Sequence, residues 1–290
     1  METQLLATFI AVADAESFSG AAERLHLSQP AISKRVALLE DQVGNLLFDR
    51  VARQVRLTDV GRTLLPFARK VLQDVEDARR ALSHLTNTVG GRLSIGTSHH
   101  IGLHRLPCVL RAYTQAYPGV DLDIQFMDSE VACEAVLAGK LELGIVTLPT
   151  QPLAQLQTRL VWPDPLAVVV ATTHPLAARK KPKLADLAAH AAVLPDEATY
   201  THRIVTAALE RHGLKPRIRL STNYLETLKM LVVIGLGWSV LPRSMLDAEL
   251  IALPIPELAL ERQLGLVWHQ RRTLSAAANA LLGLLPLVGE

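Results

Sequence analysis

The strongest constraint on the fold lies between residues 17 and 44, where two short helical patterns are separated by only two residues. Ser19 is a candidate N-cap for Ala21-Ala22-Glu23-Arg24-Leu25, and the break falls at His26-Leu27. Ser28 then caps the next helix, with Pro30 in its first turn, where a missing N–H costs nothing. Ile32, Val36, Leu39 and Val43 recur at i, i+4, i+7 and i+11 and give that second helix a buried face. So short a joint makes this stretch a helix-turn-helix, packed on an earlier helix that carries Leu5, Leu6, Phe9, Ile10 and Val12. Gly44 ends the second helix. Leu46 to Arg50 and Gln54 to Leu57 then read as short strands around Val51-Ala52-Arg53, a candidate wing.

Thr58 caps a long helix that reaches about Leu85. Leu64, Ala68, Val71, Val75, Ala78, Leu82 and Leu85 follow alternating four- and three-residue steps, a seam that implies a helix partner, most simply the same helix of a second subunit. The competing reading lays this helix on its own domain. Pro66 weakens its first turns, since an interior proline costs about 3 kcal/mol.

Asn87-Thr88-Val89-Gly90-Gly91 is a linker, and beyond it short apolar strands alternate with helical patterns. Strands are expected at Leu93 to Gly96, Val120 to Ile124 and Leu143 to Val146, with helices near Leu103 to Tyr117 and Ser129 to Ala138. A second set has strands at Leu166 to Ala171, Ala191 to Leu194 and Ile218 to Leu220, with helices near His202 to His212 and Leu225 to Ile234. Leu264 to Trp268 and an Ala-rich helix close the chain. The alternation implies a parallel, doubly wound sheet in two α/β lobes, with ligand-facing groups in the cleft where strands end and helices begin. The expected organisation is α/β multidomain: a winged helix-turn-helix over 1–58, a linker helix over 59–88 and an effector region over 89–290. Its lobe I covers about 92–161 plus 267–290, and its lobe II about 162–266.

Composition removes other classes. With 49% hydrophobic and 20% charged residues over 290, the chain folds, as about two domains. Its longest nearly apolar stretch, Leu231 to Leu241, is eleven residues, against about 20 for a membrane span. No basic residue precedes the apolar run from Leu5 to Ala13, so an export signal is not expected and the protein reads as cytoplasmic. Cys108 and Cys133 have neither CxxC spacing nor His partners and read as reduced core residues. No nucleophile elbow, P-loop or dinucleotide fingerprint is present, so an enzyme is not expected and no cofactor is called for. Net charge is only +2, yet residues 24–62 carry seven bases against four acids, which puts the excess on the helix and wing.

The first sixty residues closely resemble the LysR-type transcriptional regulators. The run is Phe9-x-x-Val12, Ser17-Phe18-Ser19-x-Ala21-Ala22-x-x-Leu25-x-Leu27-Ser28-Gln29-Pro30-Ala31-Ile32-Ser33, Leu39-Glu40 to Gly44-x-x-Leu47-Phe48-x-Arg50, and Leu57-Thr58-x-x-Gly61. Val60 departs from the family's usual alanine, and Glu142 stands where aspartate is commoner. The resemblance implies a winged helix-turn-helix dimer, usually paired into a tetramer, on an inverted repeat of promoter DNA. It also implies a two-lobed effector region like periplasmic binding proteins and a small organic metabolite between the lobes. RNA polymerase is a further partner of such a regulator, and no membrane is.

The residues support the DNA part independently. Gln29, Ser33 and Lys34, beside Pro30, lie on the exposed N-terminal face of the third helix, within reach of base edges in a major groove about 12 Å wide. Ser28, Arg50, Arg53 and Arg56 suit phosphates. In the effector region Thr97-Ser98-His99-His100 joins a strand to a helix start, which suits an anion. The resemblance puts effector contacts there and at Ser129, Thr147, Thr201 and Asn223. His100 and His104 share a helix face, but Ile101 stands where a zinc protease has its Glu and no third ligand is evident, so no metal is assigned. Arg105 either balances an anionic ligand or pairs with an acid. The alternative is a solute-binding protein, or a metal or redox sensor using His99, His100, His104 or the two cysteines.

Overall fold

Residues 2–51, 54–83 and 89–286 are described by a computed structural model, the side chains of 50, 51, 54, 73, 76, 77 and 79–83 excepted. The chain divides at Thr86/Asn87 into two units. In the first, α1 (Thr3–Ala15), α2 (Phe18–Leu25) and α3 (Gln29–Val43) enclose a core of Leu6, Phe9, Val12, Ile32, Val36 and Leu39, each worth about 1.5–3 kcal/mol on burial. Ser17 caps α2, its Oγ accepting from the Gly20 N–H at 3.2 Å; the expected cap, Ser19, is one residue inside and its hydroxyl donates to Gln29 Oε1 at 3.5 Å. His26 stops α2 in the left-handed region (φ 51°), Ser28 Oγ accepts from the Ala31 N–H, and Gly44 (φ 72°) ends α3.

The wing is a hairpin of β1 (Phe48–Val51) and β2 (Gln54–Leu57), in which Asp49 faces Arg56. Glu40 of α3 anchors its base by accepting from the Leu47 and Phe48 N–H groups at 2.8 and 3.4 Å. Phe48 packs its ring 5.4 Å from that of Phe9. Thr58 Oγ1 accepts from the Gly61 N–H, which starts α4 (Asp59–Ser83), and the helix continues through Pro66. Leu64 and Ala68 pack into the core of their own unit and Arg69 pairs with Asp14 of α1 at 2.5 Å, so the first half of the expected seam is used internally. Among the described side chains of α4, the large exposed apolar ones are Phe67 (63%) and Val71 (41%), of which Val71 belongs to the expected seam, as does exposed Ala78. Leu82 and Leu85 of the seam, and Asn87-Thr88 of the linker, lie outside the described residues or side chains.

In the second unit β3 (Gly91–Thr97) runs parallel to β4 (Val120–Phe126) on one side and β5 (Leu143–Thr147) on the other. β6 (Leu156–Ala171) spans the unit. β11 (Glu261–His269) lies antiparallel between β5 and the first part of β6, while β9 (Ser239–Pro242) and β10 (Leu250–Ala252) pair antiparallel with its second part. β7 (Ala191–Leu194) and β8 (Arg217–Ser221) form a separate parallel pair. The sheet is therefore mixed, not the expected parallel one, because β11 returns between strands of both halves. Around it stand α5 (His99–His104), α6 (Leu106–Ala116), α7 (Ser129–Leu137), α8 (Leu184–Ala189), α9 (Tyr200–Glu210), α10 (Leu225–Val233) and α11 (Ala276–Leu284). The single helix expected over Leu103 to Tyr117 is two helices, and the first begins at His99.

Each half has its own core. One gathers Leu93, Ile95, Leu106, Tyr113, Leu266 and Leu281; the other gathers Val170, Leu187, Leu194, Leu209 and Trp238, whose Nε1–H donates to the Leu187 carbonyl at 3.0 Å. Glu142 is buried and accepts from the Ser275 N–H at 2.6 Å and its hydroxyl at 3.2 Å, tying the start of α11 to the β5 edge.

Candidate functional site

Two surfaces carry the expected site residues. On the first unit, Ser28, Gln29, Pro30 and Lys34 are exposed and Ser33 is half-buried along the first turns of α3, with Arg56 exposed on β2. Inward-turned Ile32 and Val36 fix this rotation of the helix, so the polar residues face outward together. The Arg50 side chain and the whole of Arg53 lie outside the description.

On the second unit, Ser98, His99, His100, Ser129, Thr147, Thr201 and Asn223 line one cleft between the two halves, with about 50 Å³ of free interior. That is room for a few waters or one small polar group. Thr97 is the exception: it is fully buried behind the cleft wall and its hydroxyl donates to the Ile145 carbonyl at 2.7 Å. Ser98 is spent largely on capping α5, which has only six residues, so the expected anion site at that helix start is weaker than the sequence implied. A shallower depression of about 380 Å³ adjoins the cleft, bordered by His99, Leu103, Phe126, Tyr224 and Glu226. His99 stacks on Phe126 at 5.2 Å and meets Tyr224 edge-on at 4.8 Å. Gly102 permits this, since a Cβ there would lie 2.3 Å from Phe126.

The charged groups of the cleft come from distant elements. Arg262 on β11 is buried. Its Nε–H donates to Asp164 of β6 at 2.6 Å, its Nη1 lies 3.5 Å from Thr201 Oγ1, and its Nη2 has no hydrogen-bond partner. Asp164 also pairs with Arg105 at 3.1 Å, the acidic neighbour that was one of the two expected roles of Arg105. Several polar contacts cross between the halves. Asn223 Nδ2–H donates to Asp128 at 2.7 Å, the Tyr200 N–H donates to Glu130, and His104 Nε2 lies 3.0 Å from Glu226. Burial pushes the Glu130 carboxyl above the usual range.

His100 is 4% exposed, and neither ring nitrogen has a hydrogen-bond partner. Burial, reinforced by the Arg262 charge, pushes it down to about 4, so the ring is neutral near pH 7. Glu226 supplies the third potential ligand that was not evident in the sequence: its carboxylate and the two imidazoles place one donor atom each within 4.8 Å of one another. The cysteines form no comparable group. Cys108 is exposed rather than in the core, and Cys133 is buried with its thiol pushed up to about 11, which makes it inert.

Arg262, Asp164 and Glu226 escaped sequence reasoning because they lie 66 to 164 residues from Ser98. One signal was available for Arg262: it shares the inward phase of Leu260, Leu264 and Leu266, where a charge is out of place unless paired.

A winged helix-turn-helix unit joined to an α/β unit with a polar cleft defines a DNA-binding regulator governed by a small molecule. A family model described as the LysR substrate binding domain matches residues 86–286, and the bacterial regulatory helix-turn-helix, lysR family, matches residues 3–62. The chain belongs to the LysR family of transcriptional regulators. It is 30% identical over 286 residues to the uncharacterised HTH-type regulator YfeR of Shigella flexneri, covering 95% of this chain and 90% of that one. Full-length OxyR from Pseudomonas aeruginosa superposes with a TM-score of 0.72 at 26% identity, covering 98% and 94%. Full-length CbnR, in complex with its target DNA, shares the fold with a TM-score of 0.66 at 23% identity, covering 98% and 99%. The alternative reading as a solute-binding protein or a sensor of another class is not favoured by these matches. Among the described residues no helix is long and apolar enough to cross a membrane.

Proposed function

We propose that the protein is a non-enzymatic, cytoplasmic LysR-type regulator that reads promoter DNA with Gln29, Ser33 and Lys34 and is switched by a small anion in the cleft. Ser28, Pro30 and the wing arginines Arg50, Arg53 and Arg56 would border the groove and hold phosphates. The observation that carries the DNA reading is the rotation of α3, which buries Ile32, Val36 and Leu39 and leaves its N-terminal polar residues outward beside an anchored wing. The anionic character of the effector rests on Arg262, a buried guanidinium with one unpaired N–H group in a cleft also lined by Ser98, His99, Ser129, Thr201 and Asn223. Phe67 and Val71 of α4 supply an apolar strip for a second subunit, so the protein would act as a dimer or a higher assembly.

The test uses DNA selected by the protein from genomic fragments. Ser33→Ala and Lys34→Ala each weaken binding to that DNA, measured by fluorescence anisotropy, by about 1–3 kcal/mol, with the oligomeric state unchanged. Unchanged affinity in both variants would remove α3 from the reading role.

A further inference from the structure

The two halves of the second unit meet at an unusual trio. His100 and His104 stand one turn apart on α5, their ring centroids 4.7 Å apart, and Glu226 reaches them from the first turn of α10 in the other half. Glu226 Oε1 lies 3.0 Å from His104 Nε2 and 3.7 Å from His100 Nδ1. Two ligand atoms bound at about 2.05 Å in a tetrahedron sit about 3.3 Å apart, so these two separations bracket what a metal requires. The remaining separation in the trio is no more than 4.8 Å, within the reach of a small side-chain rotation.

A hydrogen-bonding account alone leaves His100 unexplained. Buried polar side chains nearly always find at least one partner, yet neither nitrogen of this enclosed imidazole has one. A cation on the ring would satisfy it. The Arg262 charge opposes a cation there, and two carboxylates counter it: Asp164, which holds the Arg262 Nε–H at 2.6 Å, and Glu226 at the site itself. Two imidazoles and one carboxylate suit a borderline cation, whereas magnesium and calcium take oxygen ligands. Three protein ligands leave a fourth position for water or another ligand.

We infer that His100, His104 and Glu226 form a binding site for a first-row divalent cation of the zinc class, which fastens the two halves across the mouth of the effector cleft. The site goes beyond the family assignment and stands independently of the DNA-reading residues.

Tag-free, full-length protein stripped with a chelator is titrated calorimetrically with ZnCl2, with MgCl2 as control, and its Co(II) form is followed by visible absorption. The expected result is one zinc per chain, no magnesium binding and a tetrahedral Co(II) spectrum. His104→Ala and Glu226→Gln, both at partly exposed positions that tolerate substitution, each weaken zinc binding at least tenfold and abolish that spectrum. His174→Ala probes the other close imidazole pair, His174 and His190 at 4.9 Å, and leaves zinc binding intact. No saturable zinc binding, binding that survives both ligand substitutions, or loss of it in His174→Ala overturns the site.

Discussion

Asp164 sits between two guanidinium groups, with Arg262 fully enclosed and Arg105 nearer solvent, and this asymmetry decides what each substitution does. Asp164→Asn leaves Arg262 buried without a counter-charge, which costs about 3–5 kcal/mol, read as a lowered urea midpoint at constant slope. Arg262→Met is much milder because Asp164 keeps Arg105, yet it abolishes stabilisation by small carboxylates and inorganic oxyanions in a thermal-shift panel. Equal destabilisation by the two variants would show that Arg262 is not the dependent member of the pair. Single residues were the least legible part of the site. Ser98 and His99 were found because they border a helix start, a local signal, and Asn223 through the family resemblance, while Thr97 fell beside the first two in sequence and is fully buried. Arg262, Asp164 and Glu226 arrive by topology, which no spacing encodes.

At the level of elements, the wing and α4 are joined at Gly61. A Cβ there would lie 2.2 Å from the Leu47 carbonyl oxygen, in the backbone that Glu40 also holds. Gly61→Ala must push the helix start off the wing, an overpacking cost of about 1–3 kcal/mol that chemical denaturation measures, and a neutral result would mean that α4 can shift freely. The helix-turn-helix and wing were legible because capping serines, a C-terminal glycine and a clear apolar period act over a few residues. Of β6 only Leu166 to Ala171 was expected, since Pro163 and Pro165, which have no backbone N–H to donate, interrupt the strand pattern before it. In the structure they pair with Gln263 and Glu261 at one end of a long strand, close to the irregularity at Leu264/Gly265. The division between α5 and α6 was hidden because Arg105, which ends one and precedes the other, carries no strong helix-stopping signal, and Pro107 is tolerated in a first turn.

For the whole molecule, the division at Thr86/Asn87 assigns the two activities to separate parts of one chain. A fragment of residues 87–290 is expected to keep its thermal response to small anions and to lose DNA binding entirely; DNA binding retained by the fragment would refute that assignment. The net charge of +2 concealed this arrangement, because the excess of bases over residues 24–62 is cancelled elsewhere. The contacts across the cleft also have a kinetic consequence. Asn223–Asp128, Tyr200–Glu130 and His104–Glu226 tie the two halves together, so a ligand that needs the halves apart can enter only in the intervals when these contacts have parted. The pace of the response is then set by how often they part, and raising the ligand concentration past that frequency gains no further speed.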